Sequence, residues 1–405
     1  MKRMLLVIGI LILFATEILR VYFIMPFPGS QRSNTIDLAY FIDRNRLWLR
    51  IAGWILVGYA LLIHPAERGN PYATPRKKSS WPAIGLFVVA VLYAAVFYFL
   101  NYRAEADKMF HQPQQLSFAD TTTNKIAPQR LVIGVAINNE AKAYPIQLIG
   151  YHHQVRDTVG HTPIMVTYCT VCRTGRVYVP RVHGRPEEFR LVGMDHFNAM
   201  FEDETTKSWW QQATGVAIAG PLKGERLAEL PSGQYTLEEW LRIHPGSKVM
   251  QPDPADTSHY SQLADYDDGT IKGSLEHRDS TSWKAKSWVV GVLAGNVAKA
   301  YDWNWLSAHR IVEDTIGSLP VIIFRDGPDD FHVFGRVAGG KIIGFNSKPD
   351  SAAVLQDTST GSVWTPTGLC ISGPLKGQQL QPLQAYQEFW HSWSTFHPAT
   401  TRYNP

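Results

Sequence analysis

The chain has 405 residues, room for two or three domains, and a formal net charge of +4, which leaves no footprint of a nucleic-acid binder. Its three cysteines cannot build a disulfide scaffold; they allow one bridge plus an odd thiol, or a metal site.

Residues 1–104 read as a membrane domain with three transmembrane helices. Met4–Phe14 is an apolar run behind Lys2 and Arg3 that continues past Glu17 and Arg20 to Met25. No clear small-residue cleavage site follows, so the stretch reads as a spanning helix rather than a signal peptide. Leu47–Ile63 is a second, shorter apolar segment, and Trp81–Leu100 is a third without any charge. Tyr93, Phe97, Tyr98 and Tyr102 gather near the end of the third, as an interfacial aromatic belt does. The loop 66–80 sets Arg68, Arg76, Lys77 and Lys78 against Glu67. With Lys2 and Arg3, it places the N-terminus and this loop in the cytoplasm, and everything after about Asn101 outside. The three arginines between Gly29 and Arg46 weaken that reading without reversing it. A cleaved leader followed by two helices leaves the large domain on the same side. The expected partner of the first residues is the lipid bilayer, and the rest is extracytoplasmic.

The soluble part repeats itself. Leu131–Pro163 aligns without a gap on Trp288–Pro320: Gly134 on Gly291, Ala141–Tyr144 on Ala298–Tyr301, His152 on His309, Asp157-Thr158 on Asp314-Thr315, and Gly160 on Gly317. Further on, Gly220–Gly224 pairs with Gly373–Gly377, Trp240 with Trp393, and His244-Pro245 with His397-Pro398. The expected fold class is α+β, mainly β. A tandem duplicated unit occupies 115–253 and 287–405, with a polar linker, 254–286, that wraps one unit. Within a unit, a strand over Val132–Ile137 turns at Asn138-Asn139 and returns as Ala141–Pro145. A helix over Ile146–Gln154 follows, then a turn at Asp157–Gly160 and a strand. The unit closes with a helix over Thr236–Ile243, whose Thr236 and Glu239 have capping-box spacing.

Features confined to one copy are candidates for function. The stretch Thr162–Tyr178 joins two β-branched runs through Cys169 and Cys172, and only the first copy has it; its counterpart in the second is Phe324–Pro328. Gly175 and the residues after it argue for a turn between strands, against the helix start of a thioredoxin-type motif. His153, His161, His183 and His196 are also confined to the first copy. Cys370 aligns with Ala217 and reads as a small buried hydrophobe. Asp203 repeats as Asp357 and reads as turn chemistry, whereas Asn198 and His196 stay candidates.

The order of these motifs resembles a known family. Gly134-Val135, Ala141–Pro145, the Val-Arg-Asp-Thr-Val-Gly run at 155–160 and the Cys-x-x-Cys stretch are followed by Met194-Asp195, Asn198, Trp209–Gln211 and Gly220–Gly224. The sequence is similar to the bacterial domain-of-unknown-function family 3179, well over about 131–245 and more loosely in the second copy. The resemblance implies kinship of fold and no activity. Tyr151-His152-His153 departs from that family's usual Trp-His-Glu, and Arg173 stands where it usually has Gly.

Three chemistries suit Cys169 and Cys172. A metal knuckle would take a soft ion, copper or zinc, with His152 as third ligand and His153 or His196 as additions. His152 shares a helix face with Leu148 and Ile149 and is expected to point at the sulfurs. A structural disulfide suits an extracytoplasmic location. A redox or catalytic thiol would draw on Arg173, Arg176 and His152 to lower its pKa. A non-catalytic binding or scaffold module, in which the cysteines only staple a turn, is the competing class. The chain lacks a nucleophile elbow, a His-Glu-x-x-His helix and a Walker loop.

Overall fold

A computed structural model describes residues 1–62, 81–347 and 355–405 of the chain. The basic loop 66–80, on which the inside-outside assignment rests, lies outside the described residues.

Three helices open the chain: α1 (Lys2–Tyr22), α2 (Ile36–Leu62) and α3 (Trp81–Tyr102). By length and composition, two helical stretches suit a membrane, Lys2–Tyr22 and Ala83–Tyr102. The expected second span, Leu47–Ile63, falls in the longer helix α2, whose first half Asp37, Asp43, Arg44 and Arg46 make polar. The two charges in the second half of α1, Glu17 and Arg20, are buried. Glu17 accepts from Arg50 Nε at 2.7 Å, from Asn101 at 2.8 Å and from Tyr93 at 3.2 Å. Arg20 reaches Glu105 at 3.0 Å and Asp43 at 3.5 Å. Each buried charge thus has an opposite partner on a neighbouring segment, the condition under which ionisable groups persist between apolar helices.

The rest of the chain is β-rich α+β, made of many small sheets. In the first half, a five-stranded sheet runs in the order 118–119, 248–250, 140–145, 131–137, 233–236. Beside it stand a three-stranded sheet (Gln154–Val159, Thr162–Cys169, Thr174–Tyr178) and a four-stranded sheet (189–195, 198–203, 209–211, 217–219). The helix Ile146–His152 closes against them through Leu148 and Ile149. Thr236 caps the helix Leu237–Ile243 by accepting from Glu239 N at 3.2 Å, but the Glu239 carboxylate turns to Arg242 instead of reaching back, so half of the capping box forms.

The second half holds similar elements. Residues 288–294 and 297–302 pair with Gly291 opposite Ala300, as Gly134 lies opposite Ala143. Tyr144 donates to Asp157 and Tyr301 to Asp314, each at 2.7 Å. A tryptophan ring covers each glycine: a Cβ on Gly134 would fall 2.3 Å from Trp240, and one on Gly291 2.2 Å from Trp393. Asp203 and Asp357 each accept from turn amides and from an indole, Trp210 and Trp364 respectively, which is the turn chemistry expected of them.

The halves are bolted together at the cysteine stretch. Phe389 N donates to Cys172 O at 3.0 Å, and the buried Arg176 pairs with the buried Glu388. Arg173 crosses to Gln387 at 2.9 Å and lies 3.7 Å over the Trp288 ring. The segment 254–286 packs on the first half through Tyr260 and Tyr266 and then reaches Trp288 through Arg278.

Candidate functional site

The strand Thr162–Cys169 pairs with Thr174–Tyr178 so that Cys169 lies opposite Thr174, and residues 170–173 form the turn between them. Cys172 N donates to Cys169 O at 3.3 Å, closing the turn. Arg173 ends it with a φ of 56°, the left-handed conformation that a glycine adopts without cost. Here the guanidinium compensates, held by Gln387 and by the carbonyls of Tyr266 and Asp267. Arg173 therefore points away from the sulfurs and fastens the two halves.

Both thiols are fully buried and free, and both face one carbonyl: Phe197 O lies 3.5 Å from Cys169 Sγ and 3.3 Å from Cys172 Sγ. Phe197 sits in the tight turn between 189–195 and 198–203, where it and His196 both have positive φ, 66° and 49°. Its own amide donates to Gln31 Oε1 at 3.1 Å, in the segment between α1 and α2. His391 from the second half closes the pocket, with Nε2 3.8 Å from Cys172 Sγ and Nδ1 3.0 Å from Ala285 O. A carbonyl only accepts, so Nδ1 carries the hydrogen and Nε2 turns its lone pair to the sulfur. Burial and the nearby Lys286 push His391 down to about 4, which keeps it neutral at pH 7. Lys286 donates to Val171 O at 2.6 Å, and burial lowers its own pKa.

The two sulfurs are not equivalent. Burial raises both, but at Cys169 hydrogen bonds from Cys172 and from the backbone amides of Ala199 and Cys172 outweigh it, leaving that thiol below its ordinary value. Burial and the adjacent Cys169 hold Cys172 well above. The two adjacent thiols therefore differ in acidity, Cys169 being the one that gives up its proton more readily.

His152, expected to point at the sulfurs, does not. Its Nδ1 lies 2.5 Å from His111 O and its Nε2 2.7 Å from Tyr260 OH. The helix packs as expected, but successive strand residues face opposite sides. Tyr168 faces the side of the sheet where Tyr151 and Tyr260 pack, and Cys169 faces the other, among Met165, Phe201 and Trp210. His196 bonds Asp195 at 2.8 Å, and that bond raises its pKa. Asn198 is buried; it donates to Thr174 and Gln212 and accepts from Ala213 N, tying the cysteine hairpin to its neighbour. The sequence reading missed His391, Lys286 and Phe197. A signal for His391 was present, since its aligned position in the first copy is Glu238.

His153 is also apart from the sulfurs: it is buried, Nδ1 3.1 Å from Tyr151 O, its ring 4.7 Å from Phe110. Burial pushes it down to about 4. Its folded pKa lies below the unfolded value near 6.5, so its neutral form stabilises the fold fully above that value. This contribution is lost as pH falls from about 6.5 towards 4, at a cost of about 3 kcal/mol. His153→Gln keeps a donor for Tyr151 O but cannot charge. Urea titrations of the two proteins at pH 7 and pH 4 should show the variant losing about 3 kcal/mol less; equal losses would refute the assignment.

The profile of the family described as "Protein of unknown function (DUF3179)" matches residues 111–400. The chain belongs to this family. No curated protein and no solved structure matches it. The match begins at His111, just past the N-terminal helices, and takes in both halves, so Cys172 and His391 come to one pocket from different halves of the DUF3179 region.

Proposed function

We propose that Cys169, Cys172 and His391 hold one soft metal ion, copper(I) or zinc(II), in a protein that its N-terminal helices anchor to a membrane with the β-rich part extracytoplasmic. The observation that carries the reading is two buried sulfurs facing one carbonyl with an imidazole lone pair 3.8 Å from Cys172 Sγ; the three donors do not all lie within 4.8 Å of one another, so His391 and Cys169 draw together when the ion binds. Donors on one ion with metal–sulfur and metal–nitrogen bonds of about 2.3 and 2.0–2.1 Å stand about 3.5–3.8 Å apart. His391 thus takes the role first expected of His152. The matched registers, the glycine–tryptophan pairs and the aspartate–indole turns support descent of the two halves from one duplicated unit. In that history the second half lost its sulfurs and supplies an imidazole instead.

The full chain, purified in detergent without added metal, should carry about one ion per molecule by mass spectrometry. Cys169→Ser with Cys172→Ser should remove the sulfur-bound ion, lowering the count by one, and His391→Ala should weaken its binding beyond the ~10–100-fold cost of losing an outer-shell partner. Unchanged metal content in the double-serine protein would sink the reading.

The unequal pKa values of the sulfurs favour a second reading, a thiol redox pair. There Cys169, on losing its proton, attacks one sulfur of a disulfide such as oxidised glutathione and expels the other as a thiolate; Cys172, losing its proton, then attacks Cys169 Sγ, expels the oxidant's remaining sulfur as a second thiolate and completes the Cys169–Cys172 bond. That reading expects a metal-free protein that loses two titratable thiols on treatment with oxidised glutathione. A protein that neither binds metal nor oxidises returns the cysteines to a scaffold role.

A further inference from the structure

We infer a second metal site, for a borderline ion of the zinc(II) class, at His111, His152 and Asp256. These residues come from three distant stretches: the segment after α3, the end of the helix Ile146–His152, and the segment joining the halves. One donor atom from each lies within 4.8 Å of the others. His111 Nε2 stands 3.4 Å from Asp256 Oδ1, and His259 Nδ1 3.3 Å from the same oxygen on another side. Donors sharing a tetrahedral zinc ion with bonds of about 2.0–2.2 Å stand about 3.3–3.5 Å apart.

Asp256 supplies the independent observation. Its side chain is 1% exposed, it precedes the helix Thr257–Gln262 without capping it, and its Oδ2 has no hydrogen-bond partner among the described residues. A buried carboxylate with an unsatisfied oxygen is costly, and a cation beside Oδ1, the oxygen that faces His111, neutralises the carboxylate as a whole and lowers that cost. His152 is preset as a ligand: its Nδ1–H goes to His111 O, which leaves the lone pair on Nε2. Tyr260 OH engages that lone pair at 2.7 Å, so an incoming ion competes with it. The donors are nitrogen and oxygen only, which suits zinc(II) over copper(I). The arginine-bridged cluster of Glu239, Asp326 and His332 differs on this point, since Arg242 already pairs with both carboxylates. The site is independent of the thiol pocket, which lies on the opposite face of the strand ending at Cys169.

The test uses the full chain in detergent with Cys169→Ser and Cys172→Ser as background, titrated with zinc chloride alone and counted after desalting. One zinc per molecule is expected. Asp256→Asn or His111→Ala should lower affinity by at least ~10-fold, and Tyr260→Phe should keep or tighten it. His111 is part-exposed, so that variant tests binding without emptying a core position. Cobalt(II) in the same background should give visible bands without a sulfur charge-transfer band. The inference is overturned if the background protein binds no zinc, if either ligand variant binds as tightly, or if Tyr260→Phe abolishes binding. Failure of the thiol reading leaves this readout unaffected.

Discussion

Replacing Arg176 by Ala should cost about 3–5 kcal/mol, the largest single effect expected in the β-rich part. The guanidinium pairs with Glu388, donates to Ala213 O at 3.1 Å and to Gly175 O at 2.9 Å, and lies 3.4 Å over the Tyr386 ring. Removing it leaves Glu388 buried with only Ser392 as partner, a carboxylate in a medium that disfavours charge. The damage should spread to the pocket, because Phe389 bonds Cys172 O and His391 follows two residues on. Urea unfolding of the full chain in detergent measures the loss. The companion variant, Arg176→Met with Glu388→Leu, removes both charges and should recover most of it. A loss below about 1 kcal/mol for the single change, or no recovery in the double one, would show that the pair does not hold the halves together.

Gly134→Ala should be nearly as severe, at about 3 kcal/mol. Gly134 is a strand glycine pressed against the face of Trp240, with the ring atoms Cε3 and Cζ3 at 2.3 and 2.4 Å from where a Cβ would stand. The indole cannot retreat freely, since its Nε1 donates to Ser247 at 2.7 Å. Overpacking of this kind typically costs about 1–3 kcal/mol, and the displaced hydrogen bond puts this case at the upper end. Gly291→Ala should match it through Trp393, whose Nε1 bonds Thr400 at 2.8 Å. Trp240→Leu in the Gly134→Ala background should be less harmful than the sum of the two changes. Strict additivity would mean that the ring is not what forbids the methyl group.

What the sequence disclosed was local. The strand pair around Asn138-Asn139, the cap at Thr236 and the cysteine turn are each set by neighbours a few residues apart, and each forms where turn and cap residues put it. His152 failed for a reason that is also physical. A helix-face argument placed it over the strand, but the sulfurs sit on the far side, which the alternation of Tyr168 and Cys169 decides. His391 and Gln31 reach the pocket from about two hundred residues downstream and more than a hundred upstream, a separation that no local pattern encodes. The helix α2 lay between these cases: its apolar half was legible, while its polar half forms because α1 and α3 supply partners such as Glu17 and Asn101.

Phe197 sets an order on biogenesis. In a chain anchored as proposed, the helices that carry Gln31 leave the ribosome and enter the bilayer before Cys169 and Cys172 are made. The hairpin 189–203 then docks onto a piece of chain already committed to the membrane, Phe197 N to Gln31 and Met194 N to Ile24 O at 2.7 Å. That docking joins the strand pairing and the Asn198 bonds in fixing the carbonyl that faces both sulfurs. The pocket is therefore more open to ions, oxidants and alkylating agents while the chain is young than in the mature protein, where reagents reach the buried sulfurs through local openings. Whatever the sulfurs are to carry can enter before His391, the last part of the pocket to be made, closes over it.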